Sequence, residues 1–234
     1  MMSAPMEPMY AVARAVLVPF LKLFFRWRLM GTHNIPRSGP VIVACNHISY
    51  FDPLCHAYII DRSGRKCRFF AKAELWKNPF LRFVLTHAHQ IPVERGSGET
   101  GPVEKAIEWL KRDELVVIYP EATITTNPDL TPMQGKTGVG RVALATGAPV
   151  VPIAVWGSHW VRPKKRKPVR KWRRLITLKA GEPMRFDDLR GRPESEAARE
   201  VTDRVVGELD RMVRELHKIY PEGGAVPELI DGDG

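Results

Sequence analysis

The chain has 234 residues, 44% of them hydrophobic and 26% charged, ordinary globular values that exclude a disordered chain and leave room for one domain with a full core. Three cysteines, an odd number without framework spacing, exclude a disulfide scaffold and point to reduced thiols in a cytosolic setting. A net charge of +10 calls for an anionic partner, and nucleic acid, a membrane surface and a phosphorylated substrate all qualify.

Residues 9–30 are rich in aliphatic and aromatic side chains but carry Arg14, Lys22, Arg26 and Arg28. As a helix they place the cations in one arc, with Val16, Leu17, Phe20, Phe24 and Trp27 on or near the other side. This predicts an amphipathic helix that lies on a membrane or on the protein's own core, kinked or divided at Pro19. Its apolar runs are too short for a membrane span, and charges that follow the apolar part argue against a signal peptide.

After a turn-rich segment, Val41–Cys45 has the length and β-branched content of a buried strand. A helix follows from Pro53 to about Asp61, with Asp52 as its N-cap. Residues 67–72 read as a strand, 74–87 as a helix interrupted near Pro79, and 89–96 as a short strand with Arg95 at its C-terminal end. Then come a helix over 102–112, a strand over 115–119, a long loop, a helix over 139–146, and strands over 150–155 and 175–179. In residues 195–220 Ala198, Val201, Val205, Leu209, Met212, Leu216 and Ile219 form one helical stripe. The alternation predicts an α/β fold: a single layered domain with a largely parallel or mixed central sheet flanked by helices, plus the N-terminal amphipathic helix. The implied organisation is a membrane-facing segment over 1–30, a catalytic domain over 31–220 and a flexible tail over 221–234.

The polar cluster Asn46-His47-Ile48-Ser49-Tyr50-Phe51-Asp52-Pro53 lies between a strand and a helix N-terminus. Five positions of separation let His47 fold back beside Asp52, which would fix one imidazole tautomer and leave the other nitrogen as a base for transfer to a hydroxyl. Two other readings stand beside it. Asp52 only caps the helix, or His47, Asp52 and His56, with Cys45 and Cys55 near, bind a metal; the spacing matches no standard zinc pattern. Residues 162–174 hold nine cations and no acid, and without them the net charge falls to +1 (10 − 9). No nucleic-acid recognition module accompanies them. With the amphipathic N-terminus they favour an anionic membrane surface, while an acidic carrier protein or the phosphates of coenzyme A fit equally.

Four stretches in order carry a resemblance: Asn46-His47-x-Ser49-x-x-Asp52, Ile91-Pro92-Val93-Glu94-Arg95, Tyr119-Pro120-Glu121-Ala122-Thr123 and Val151-Pro152-Ile153. With Lys179-Ala180-Gly181-Glu182-Pro183, they make the chain resemble the glycerophospholipid acyltransferases of the 1-acyl-sn-glycerol-3-phosphate acyltransferase type over about residues 39–185. The resemblance implies His47 as general base and Asp52 as its electrostatic support. It implies Arg95 on the acceptor's phosphate, Glu121 and Thr123 lining the acceptor site, Lys136 and Gly138 near the phosphate, and Asn46 and Ser49 in the binding loop. Ala122 stands where the family pattern has glycine. No metal or bound cofactor is implied, since acyl-CoA or acyl carrier protein thioester is a substrate. The expected partners are a lysophospholipid acceptor, the thioester donor and an anionic membrane surface, with no nucleic acid, at the cytoplasmic face of the cell membrane. Glycerol-3-phosphate or another lysolipid is the alternative acceptor, and a non-catalytic binder of anionic surfaces is the rival from a different class.

Overall fold

Two apolar runs, β2 (Val41–Cys45) and β6 (Val150–Trp156), are buried along their whole lengths and pair in parallel at the middle of a sheet, as continuous apolar strands do when helices cover both faces. The structure is a computed structural model and describes residues 8–87, 90–93, 100–164 and 172–220. With β1 (Phe25–Met30), β3 (Arg68–Lys72), β4 (Ile91–Val93), β5 (Leu115–Ile118) and β7 (Arg174–Ala180), these strands form a seven-stranded sheet of order β1-β7-β6-β2-β5-β3-β4. Every described pairing is parallel except β6 with β7.

Successive side chains of a strand point to opposite faces, and the core divides accordingly. Val41, Val43, Cys45, Val117 and Ile153 pack towards α2 (Asp52–Arg62). Ile42, Ala44, Val116 and Val150 pack towards α4 (Thr100–Leu110), α5 (Gly138–Thr146) and α6 (Glu194–Ile219), whose stripe supplies Val201, Val205 and Leu209. The α5–α6 approach requires Gly140, because a Cβ there would meet the Ala198 carbonyl oxygen at 2.0 Å.

The N-terminal segment differs from expectation. Helix α1 (Pro8–Phe24) continues through Pro19, but residues 25–30 leave it and form edge strand β1 beside β7. The reason is a change of period. Arg26 and Arg28 alternate with the half-buried Phe25 and Trp27, the two-residue repeat of a strand with one exposed face. Phe25 packs on Phe51 at 4.8 Å and Trp27 on Tyr58 at 4.4 Å. The N-terminal helix therefore ends at Phe24, and Arg26 and Arg28 belong to the sheet. No described helix is long and apolar enough to cross a membrane. The tail expected over 221–234 lies outside the described residues.

Candidate active site

The C-terminal ends of β2 and β5, with the loop after β6, meet at one edge of the sheet, the usual ligand edge of an α/β layer. Where β2 leaves the ladder, Asn46 continues it with its side chain: Nδ2 donates to the Val155 carbonyl at 3.2 Å and Oδ1 accepts from the Val155 N–H at 2.8 Å. The chain then turns through His47–Phe51 into α2. Asp52 is the first residue of α2 and makes no capping bond to the helix, so the expectation of an N-cap is corrected. Its carboxylate instead folds back over the preceding loop. Oδ2 accepts from the Ile48 N–H at 2.6 Å, from the Ser49 N–H at 2.7 Å and from His47 Nδ1 at 2.8 Å; Oδ1 accepts from the Ser158 hydroxyl at 2.5 Å. A fully buried carboxylate needs this many donors. The bond to Asp52 holds the proton on Nδ1 and leaves Nε2 as the basic nitrogen of a side chain that is 17% exposed.

The face of the imidazole is held as firmly as its edge. The Tyr119 ring stacks on His47 with centroids 4.4 Å apart, and the Tyr119 hydroxyl is hydrogen-bonded to His56 Nδ1 at 3.0 Å. His56 follows Asp52 by one turn of α2, so one helix face sets both the edge and the floor of the ring. Burial pushes the His56 imidazole down to about 4, so it is neutral, and its Nε2 has no partner.

Glu121 grips the backbone. Its Oε1 accepts from the His47 N–H at 3.2 Å and its Oε2 from the Met133 N–H at 2.9 Å, while the Thr125 N–H donates to the His47 carbonyl at 2.8 Å. Only 5% exposed, its carboxyl is pushed up by burial to about 7, against the pull of those two N–H bonds. The sequence expects Glu121 to line the acceptor site; in the structure its two oxygens join the His47 loop to the loop after β5. Asn46 and Ser49, expected in the binding loop, also bond within the protein. Both are fully buried, Asn46 on β6 as above, and Ser49 with its hydroxyl donating to the Arg162 carbonyl at 2.9 Å and accepting from the Phe51 N–H at 3.0 Å.

Thr123 is half-buried, and its hydroxyl accepts from Lys164 Nζ at 3.4 Å. The exposed Lys136 is anchored by its backbone N–H to the Pro120 carbonyl at 2.8 Å. Arg95 lies outside the described residues. Ala122 takes a left-handed φ of 55°, a conformation suited to the glycine of the family pattern. The basic stretch is described only in part, over 162–164 and 172–174; in it Arg174 is a buried β7 residue over the Trp160 ring at 4.7 Å.

Cys45 and Cys55 are fully buried, and burial beside Asp52 raises both thiols well above their ordinary range, so neither offers a thiolate. No group of three or more His, Cys, Asp or Glu side chains among the described residues is placed to hold a metal. The sequence reading missed Ser158 and the support given by Tyr119 and His56. The only local signal for Ser158 is Gly157, whose φ of 97° lets the chain turn sharply after β6, where a Cβ would lie 2.5 Å from the Leu175 carbonyl oxygen.

A family model described as Acyltransferase matches residues 26–156, from the first strand to the last residue of β6. The chain belongs to the acyltransferase family. Among acyltransferases it is 26% identical over 208 residues to the 1-acyl-sn-glycerol-3-phosphate acyltransferase of Bacillus subtilis, covering 89% of this chain and 96% of that protein. It is 26% identical over 143 residues to a chloroplastic 1-acyl-sn-glycerol-3-phosphate acyltransferase of Brassica napus, covering 60% of this chain but only 40% of that one. The crystal structure of the 1-acyl-sn-glycerophosphate acyltransferase of Thermotoga maritima superimposes with a TM-score of 0.65 at 25% identity, over 92% of this chain and 85% of that structure. The acyltransferase fold expected from the sequence is thus the fold observed.

Proposed function

We propose that this acyltransferase moves a fatty acyl group from an acyl thioester to the free hydroxyl of 1-acyl-sn-glycerol-3-phosphate, giving phosphatidic acid. The observation that carries the chemistry is the His47–Asp52 dyad: a base with its Nδ1 committed to a buried carboxylate and its Nε2 free to take a proton, with no activated serine or cysteine beside it. Transfer is therefore direct. Nε2 removes the hydroxyl proton as the oxygen attacks the thioester carbonyl, the imidazolium is stabilised by Asp52, and collapse of the tetrahedral intermediate expels the thiolate, which takes the proton back from Nε2. The acceptor assignment rests on the names of the relatives and on the four motifs, with Arg95 as the bidentate phosphate ligand and Lys136 and Thr123 beside the acceptor.

The acceptor and product are lipids, and α1 is built to meet them at the cytoplasmic face of a membrane. Val12, Val16, Phe20 and Leu23 recur along its outer side and are 57%, 66%, 44% and 58% exposed, while Arg14 pairs inward with Asp61 and Leu21 is buried in the core. The donor is acyl-CoA or an acyl carrier protein, and no resident cofactor takes part.

Acyl transfer by the purified protein to 1-acyl-glycerol-3-phosphate, glycerol-3-phosphate and neutral lysolipids tests this reading. His47→Ala is expected to lower kcat by ~10² to 10⁴, and Arg95→Ala to raise KM for the phosphate-bearing acceptors only. Turnover that survives His47→Ala unchanged rules the dyad out.

A further inference from the structure

After β3 the chain forms a single-turn helix, Ala73–Lys77, and passes into α3 (Pro79–His87). Because β3 runs parallel to β5, and β5 to β2, this turn emerges at the sheet edge that carries His47. The Trp76 indole N–H donates to the Thr86 hydroxyl at 3.1 Å and ties the turn to the helix. Between them lies an open groove lined by Trp76, Lys77, Pro79, Arg82, Phe83 and Thr86. Lys77 and Arg82 are exposed, and among the described residues neither has an ion-pair partner, whereas all four arginines of α6 do.

Apolar exposure is concentrated here. Of the ten exposed large hydrophobic side chains among the described residues, seven lie on α1, on the 73–77 turn or on α3, including Leu75 at 40% and Phe83 at 50%. Helix α3 packs against α1, so the element that carries the groove neighbours the one that carries the outward stripe. Scattered apolar residues are normal on a soluble surface, but a contiguous set marks an interface. Unpaired cations beside a tryptophan and an exposed phenylalanine fit the boundary where lipid phosphates meet acyl chains, since the amphipathic indole prefers that depth and guanidinium forks match phosphate.

We propose that this groove is a second membrane contact, in which Lys77 and Arg82 bracket the phosphate of an anionic bilayer lipid while Phe83 enters the chain region beside it. The inference rests on the membrane-surface reading of α1 and adds to it a headgroup preference that an apolar stripe does not supply. It also sets the catalytic edge towards the bilayer, where a lysolipid can reach His47 without passing through water.

The test is co-sedimentation of the full chain with vesicles of phosphatidylcholine alone or mixed with phosphatidylglycerol, alongside turnover of a dispersed short-chain lysophosphatidic acid with no vesicles present. The double variant Lys77→Gln/Arg82→Gln is expected to bind the phosphatidylglycerol vesicles about 25-fold more weakly, fivefold for each cation, with phosphatidylcholine binding and dispersed-substrate turnover unchanged. Phe83→Ser is expected to weaken binding to both vesicle types. Unchanged binding of the double variant to phosphatidylglycerol vesicles overturns the proposal. So does loss of dispersed-substrate turnover with vesicle binding intact, because the groove would then be part of the acceptor site. A wild-type chain that sediments with neither vesicle overturns the membrane reading itself, a distinct result.

Discussion

At the scale of single residues, the proposed base His47 is clamped from three directions. Asp52 holds the ring edge, Tyr119 the ring face and Glu121 the backbone N–H. Tyr119→Phe keeps the stacked ring but removes the hydroxyl, leaving buried His56 with Nδ1 unpartnered as well as Nε2. The expected loss of stability is about 1–3 kcal/mol, read as a lower Tm, with a fall in kcat and unchanged KM. In Glu121→Gln the amide NH2 faces one of the two backbone N–H donors, so one grip is lost; kcat should fall while KM for the acceptor stays, whereas a substrate ligand would raise KM.

The same residue gives a pH prediction. Glu121 titrates at about 7 in the folded chain against an ordinary 4.5, so between these values the folded state binds more protons than the unfolded. Its contribution is fully present below about 4.5 and is lost as pH rises to about 7. His56, lowered from 6.5 to about 4, has the opposite sign: its contribution is present above about 6.5 and is lost as pH falls to about 4. The two slopes oppose each other where they overlap, at pH 4.5–6.5. Glu121→Gln should therefore make stability fall more steeply on acidification than in wild type; an unchanged Tm–pH profile would show that Glu121 does not titrate there.

At the scale of elements, most of the strands and helices were legible because each carries its own period. The α6 stripe repeats every three or four residues, and β2, β5 and β6 are apolar throughout. The segment over 25–30 was misread because aromatic and basic residues satisfy a helical arc and a two-residue alternation alike, and pairing with β7 decides between them. Contacts between elements left weaker traces. Gly140 carries no pattern, yet Gly140→Ala would force a methyl against the Ala198 carbonyl. Destabilisation of about 3 kcal/mol is expected, measured by denaturant unfolding, with full activity in whatever fraction folds.

At the scale of the whole molecule, the proposed membrane contact assigns positive charge and apolar surface separate parts. On the proposed membrane reading the outward stripe of α1 anchors through burial, so Phe20→Asp should weaken binding to neutral and anionic vesicles alike, with dispersed-substrate turnover kept. The +10 charge acts through an anionic surface and is screened by salt. Binding to phosphatidylglycerol vesicles should therefore fall as salt rises, while binding to phosphatidylcholine should not.

The sequence by itself determined the acyltransferase resemblance, the α/β layering and the pairing of His47 with Asp52, because these depend on residues close in the chain or on periodic burial. Only the tertiary structure decided what the other polar motif residues do. Asn46, Ser49 and Glu121 read as substrate ligands because they are polar and lie in the motifs, but their partners include Val155, Arg162 and His47, far away in the chain. Ser158 reaches Asp52 across 106 positions. A buried polar group must find its hydrogen bonds wherever the fold places them, and that placement is set by the sheet order, which no local pattern encodes.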